Sequence, residues 1–229
     1  ARDERPATLE GTRMERGLFY LRIFPGTEAE YDRRHAEIWP ELVEDIRSAG
    51  IRNFSGFRRG CDVWYYGEYH PDMKTAMAVN GPKPRNQEWN RYFRDVIGQI
   101  TTDSGELIRY DEVFHTNAGP ALPGPMKRAM ISIVIDPEKA AYYDDLHANP
   151  WPDMIEAIAA AGYRNYTGFR RGAHVVYYGE YHPDIAAVSR KMAEFEVTAR
   201  WGKAFEGVIT TITGADGNLI TMDEVYHQD

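Results

Sequence analysis

Two stretches of this chain, 112 residues apart, carry nearly the same text. Tyr31-Asp32-Arg33-Arg34-His35-Ala36-Glu37-Ile38-Trp39-Pro40-Glu41-Leu42 recurs as Tyr143-Asp144-Asp145-Leu146-His147-Ala148-Asn149-Pro150-Trp151-Pro152-Asp153-Met154. The register runs without a gap from Met14/Met126 to His115/His227, and about two positions in five are identical, the mark of a tandem duplication. Whatever this chain folds into, it builds it twice. Between the copies, residues 117–125 are rich in Gly and Pro and read as a linker. The expected division is a tail (1–13), a first domain (14–116), the linker (117–125) and a second domain (126–229).

The composition supports a hydrophobic core in each copy, with 43% hydrophobic and 13% aromatic residues. A net charge of −8 and the lack of any Lys/Arg block argue against nucleic acid or an anionic membrane surface as partner, and leave small molecules. Cys61 is the single cysteine. It can form no intramolecular disulfide and no cysteine-rich zinc module, which suits a reducing cytoplasm. No apolar run reaches the roughly 18 residues of a spanning helix, and Ala1 to Arg13 is charged rather than signal-like and expected to be a loose tail.

Each copy follows one pattern of elements. Arg16 to Phe24 and Arg128 to Ile135 are rich in aromatic and branched residues and read as strands. A helix is expected from about Thr27 to Ala49, and from Asp136-Pro137 to Ala161, stopped by Gly50 and Gly162 and kinked at Pro40 and Pro152. Asn53 to Arg59 with Val63 to Tyr69, and their copies, read as β-hairpins. Helical regions at Asp72 to Ile97 and Asp184 to Ile209 follow, capped by Asp72 and Asp184, with Asn80 to Pro84 breaking the first where the second reads as continuous. Final strands run from Leu107 to Phe114 and Leu219 to Tyr226. The order β-α-β-β-α-β is ferredoxin-like, an α+β class with two helices on one face of a four-stranded antiparallel sheet. The uncovered sheet face needs a partner, so the two repeats are expected to cover each other as an internal pseudo-dimer, an intramolecular dimeric α/β-barrel.

On a helix, Tyr31, His35 and Trp39 lie on one side, as do Tyr143, His147 and Trp151. Such a stripe can hold a small polyhydroxylated molecule and move its protons. The longest identical block, Tyr65-Tyr66-Gly67-Glu68-Tyr69-His70-Pro71-Asp72, leaves a metal site of Glu68, His70 and His115 conceivable, with a strand end and helix cap preferred over it. The Gly-Phe-Arg-Arg-Gly runs at Gly56 and Gly168 read as solvated hairpin charge.

Tyr31-x-Arg33-Arg34-His35-x-x-Ile38-Trp39-Pro40-Glu41-Leu42, Gly50-x-x-Asn53-Phe54-Ser55, Gln87-Glu88-Trp89-x-Arg91-Tyr92-Phe93 and Asp111-Glu112-Val113-Phe114-His115 together resemble the L-rhamnose mutarotase family, across each repeat. The resemblance implies interconversion of the α and β anomers of L-rhamnose or a related deoxy sugar, without cofactor or metal. It implies His35 and His147 as proton donors, and Tyr31, Phe54, Trp89, Tyr143, Tyr166 and Trp201 as substrate contacts. Family members are commonly single repeats that dimerise, so a fused pair would carry that dimer within one chain, with room for a further homodimer. Opening a cyclic hemiacetal needs a proton delivered to the ring oxygen and one removed from the anomeric hydroxyl, work suited to a histidine titrating near neutrality.

Several positions depart from the pattern. Phe54 stands where the family has a tyrosine, Asp145-Leu146 replaces the arginine pair, and Asn90 and Gly202 stand where a second tryptophan is expected. These exchanges leave the sugar open. Two rivals remain: another enzyme on the same scaffold (a cyclase, monooxygenase or decarboxylase) and a non-catalytic carbohydrate-binding module.

Overall fold

The structure, a computed structural model, describes residues 13–229, so the expected N-terminal tail, Arg13 apart, lies outside the described residues. The first half contains β1 (Glu15–Ile23), α1 (Glu28–Ala36), α2 (Pro40–Ser48), β2 (Ile51–Arg59), β3 (Asp62–Tyr69), α3 (Met73–Asn80), α4 (Pro84–Tyr92), β4 (Ile97–Gln99) and β5 (Arg109–Thr116). The second repeats it as β6 (Lys127–Ile135), α5 (Ala140–Ala148), α6 (Pro152–Ala161), β7 (Tyr163–Arg171), β8 (His174–Tyr181), α7 (Ile185–Met192), α8 (Glu196–Ala204), β9 (Ile209–Thr211) and β10 (Thr221–Gln228).

The histidine segments depart from expectation. Each is a pair of helices rather than one kinked helix, and the proline opens the second of the pair. Pro40 and Pro152 occupy the first helical position, where a missing N–H removes no bond, behind Trp39 and Trp151 in extended conformation. The contrast expected between a broken and a continuous second helical region is also absent. Phe195 leaves the helical path to pack against the second half's core, so α7 and α8 are as separate as α3 and α4. The expected caps are in place: Asp72 accepts from the Thr75 N–H at 2.8 Å and Asp184 from the Ala187 N–H at 2.9 Å. The final strands begin two residues late, because Leu107 and Leu219 are used in isolated bridges to Thr101 and Thr213.

Eight strands close into one antiparallel barrel in the order β10-β2-β3-β1-β5-β7-β8-β6, with β6 returning to β10 and the short β4 and β9 appended to β1 and β6. The two halves exchange their last strands. β5 touches β1 only at Leu18/Tyr110 and Phe19/Arg109, then pairs with β7 of the other half from Asp111/Arg170 to Thr116/Tyr166, and β10 does the same against β2.

Strand alternation sorts the side chains into layers. Leu18, Phe57, Tyr66, Met130, Phe169 and Tyr178 fill the barrel, where the Tyr66 and Tyr178 rings stack at 3.8 Å across the pseudo-two-fold axis. Their neighbours Phe19, Tyr65, Ile131 and Tyr177 point outward into two further cores roofed by the helices. No helix among the described residues is long and apolar enough to cross a membrane.

Candidate active site

Each outer core contains a cavity between its helical layer and the barrel wall, of about 340 Å³ in the first half and about 330 Å³ in the second. Both volumes fall in the range of small-molecule sites, roughly 300–1,000 Å³. Tyr31, His35, Phe54 and Trp89 line the first, and Tyr143, His147, Tyr166 and Trp201 the second, so the eight residues singled out from the sequence converge four by four.

The histidines are held by their own helices. His35 Nδ1 lies 3.0 Å from the Tyr31 carbonyl oxygen one turn back, and His147 Nδ1 lies 2.8 Å from that of Tyr143. A carbonyl can only accept, so Nδ1 carries the proton and Nε2 is the basic lone pair. In the first half the Tyr65 hydroxyl donates to His35 Nε2 at 2.7 Å and in turn meets the Tyr31 hydroxyl at 2.7 Å. The second half keeps the tyrosine pair, Tyr143 and Tyr177 at 2.8 Å, but among the described residues nothing donates to His147 Nε2.

Aromatic rings complete the walls. Trp89 stands edge-on to His35 at 5.5 Å and Trp201 edge-on to His147 at 5.6 Å. Trp39 and Trp151 line neither cavity and brace these indoles at 5.2 and 5.1 Å. Because the last strands are exchanged, Tyr226 closes the first cavity and Phe114 the second, and each site needs both halves.

Sequence reading missed several of these parts. Tyr65 and Tyr177 sit in the longest repeated block, yet adjacent tyrosines on a strand face opposite ways and only the fold says which faces the helices. A signal lay in Gly56 and Gly168, since a Cβ there would meet the Tyr65 or Tyr177 ring at 2.7 Å. The arginine runs are not simply solvated: Arg58 Nε donates to Asp32 at 2.8 Å and Arg170 Nε to Asp144 at 2.7 Å, tying each histidine helix to the wall. Glu68, considered for a metal, lines neither cavity and instead bonds Asn53 and Asn165. His115 Nδ1 pairs with the Thr167 hydroxyl at 2.9 Å. No group of three or more potential metal ligands occurs among the described residues.

The expected near-neutral titration is also corrected. Burial opposes the charged form, and His35 and His147, each 7% exposed, have pKa values lowered from 6.5 to about 4. Both are therefore neutral at pH 7. The unfolded chain takes up these protons first, so stability is complete above about pH 6.5 and is lost as pH falls towards 4, by roughly 3 kcal/mol per histidine. Urea midpoints between pH 7 and pH 4 should fall less steeply for the His35→Gln/His147→Gln double variant than for wild type; parallel profiles would refute the assignment.

These features define a class: a dimeric α/β-barrel protein folded from one chain, with a histidine-bearing cavity under each helical layer. The same barrel occurs in monooxygenase-like proteins of Fusobacterium nucleatum (TM-score 0.56, 10% identical, covering 96% of each chain) and Lactobacillus acidophilus (TM-score 0.57, 9% identical, covering 95% of this chain and 96% of that one), a likeness of fold alone. The L-rhamnose mutarotase family profile matches twice, at residues 16–116 and 128–228, and the chain belongs to that family. L-rhamnose mutarotase of Agrobacterium fabrum is 45% identical over 102 residues, covering 44% of this chain and 95% of that protein. That of Oceanobacillus iheyensis is 28% identical over 102 residues, covering 44% and 98%.

Proposed function

We propose that the chain is a cofactor-independent aldose mutarotase with two sites, one under the helices of each repeat (14–116 and 126–229, joined by 117–125), acting on L-rhamnose or a related sugar. The observation that carries this is the histidine pair: two neutral imidazoles, each with Nδ1–H fixed on a backbone carbonyl, so that a single basic nitrogen is left at an indole-lined cavity. The indole face of Trp89 or Trp201 lies against the C–H side of the sugar. Nε2 takes the proton of the anomeric hydroxyl as the bond between C1 and the ring oxygen breaks. The Tyr65 or Tyr177 hydroxyl gives its proton to that oxygen and recovers one from the imidazolium. Rotation about the bond to C1 and the reverse transfers close the other anomer. Only protons move, and electrons and atoms balance without a further reagent.

Burial raises the pKa of Tyr65 and Tyr177, which keeps these hydroxyls protonated as donors. In the first half the sugar displaces Tyr65 from Nε2; in the second that nitrogen is already unpaired among the described residues. Saturation-transfer NMR on L-rhamnose, L-fucose and a panel of other aldoses and uronic acids tests the reading. At least one sugar should exchange anomers faster with protein than in buffer, at a rate level between pH 6 and 8. A panel with no acceleration would refute it.

A further inference from the structure

The two cavities share a histidine, a tyrosine pair and an indole; beyond the wall exchanges Phe54/Tyr166 and Tyr226/Phe114, they differ along one edge. In the first half that edge is Asn80 at the end of α3 with Asn86 and Asn90 on α4, all three lining the cavity. In the second the corresponding positions are Met192, Thr198 and Gly202. Asn80 is 7% exposed; its Nδ2 donates to Asn86 Oδ1 at 3.3 Å, while its Oδ1 is buried with no hydrogen-bond partner among the described residues. A buried amide oxygen without a donor is costly in the empty protein and is satisfied when a donor arrives. Nothing at the second edge asks for one. Met192 presents a thioether, and the Thr198 hydroxyl is already given to the Met192 carbonyl at 2.6 Å. The second half's own polar group sits one turn earlier, where Ser189 replaces Met77 in the cavity lining.

We infer that the duplication has divided the substrate range at this edge: Asn80 makes the first cavity select a sugar with a hydroxyl there, whereas Met192 makes the second select a methyl group at the same place. This rests on the mutarotase reading above. Because the proton-transfer groups are shared, the anomeric centre binds alike in both halves, and a hexose differs from its 6-deoxy form only by hydroxymethyl against methyl. With the C5 substituent placed at this edge, the first site takes the hydroxymethyl sugar and the second the 6-deoxy sugar.

L-Mannose and L-rhamnose differ only in this group and serve as probes. Each site is isolated in the full chain by His147→Ala or His35→Ala, and both the anomer-exchange rate and the Kd from tryptophan fluorescence are measured. The L-mannose to L-rhamnose preference should be at least roughly tenfold higher in the first site than in the second, the scale of one satisfied against one unsatisfied buried group. Asn80→Met should move the first site to the second's preference, and the reciprocal Met192→Asn should raise the second's, so the pair decides even if one variant fails to fold. Equal preferences in the two sites, or preferences that neither exchange alters, would overturn the inference and leave the mutarotase reading standing. Binding with the expected preferences but without exchange would support the division and remove the mutarotase reading. Failure of both sugars to bind wild type would overturn the division; failure of the wider aldose panel to exchange is the separate result that removes the mutarotase reading.

Discussion

The His35→Ala/His147→Ala double variant is expected to lose about 10²- to 10⁴-fold in kcat/KM for anomer exchange, the usual contribution of a positioned acid–base group, or about 3–5 kcal/mol of barrier. Removing the imidazole leaves the indoles and tyrosines in place, so sugar binding should change much less than the rate. Each single variant should silence one cavity, and the sum of the two residual rates should reproduce wild type if the sites act independently. The tautomer sharpens the test. Since Nδ1 is held by the backbone carbonyl, the reacting atom is Nε2, and a glutamine, whose amide nitrogen is not basic, cannot substitute for it. Imidazole added to the alanine variants should restore part of the rate through the space the side chain leaves. Wild-type exchange in a correctly folded double variant would assign the proton transfers to the tyrosines instead.

Much of this architecture was legible because the repeat is so regular. The element order and the caps at Asp72 and Asp184 follow from the duplicated text, as do Tyr31, His35, Tyr143 and His147 from its helical stripe, whereas Phe54, Trp89, Tyr166 and Trp201 came from the family resemblance. What escaped did so for physical reasons. A proline inside an apolar pattern is the same signal whether it kinks a helix or opens a new one, and Pro40 and Pro152 open new ones. The strand exchange was hidden by the symmetry of the sequence: β5 faces two almost identical candidates, Asn53 to Arg59 and Asn165 to Arg171, and only the closed barrel selects the one in the other half. Residue type alone suggested a near-neutral histidine, whereas burial under Trp89 and Phe93, or Trp201 and Phe205, lowers it.

The exchange of strands also brings together a polar cluster that bridges the halves, and Asn165→Asp is expected to destabilise the protein by about 2–3 kcal/mol, as for a like charge placed in a half-buried hydrogen-bonded network. Asn165 sits in a β-bulge at φ +44°, a left-handed conformation asparagine tolerates better than most residues, and its twin Asn53 is at φ +45°. Its Nδ2 donates to Glu68 at 2.9 Å in the other half and to Glu180 at 3.0 Å in its own, and Asn53 Nδ2 donates to the same two carboxylates at 3.1 and 2.8 Å. Two amides thus hold two glutamates together, and the stacked Tyr66 and Tyr178 donate from the barrel interior to the amide oxygens. Aspartate at 165 keeps the shape but replaces the shared donor by an acceptor facing two carboxylates, turning two attractions into repulsions. Asn165→Gly removes the bonds while relaxing the backbone, so it should cost less than Asn165→Ala by about 1 kcal/mol. Urea unfolding of the three variants should therefore rank Asp below Ala and Ala below Gly. The deficit of the Asp variant relative to wild type should shrink as pH falls and the introduced aspartate takes up a proton, whereas an Asp variant as stable as wild type at pH 7 would show that the cluster does not hold the halves.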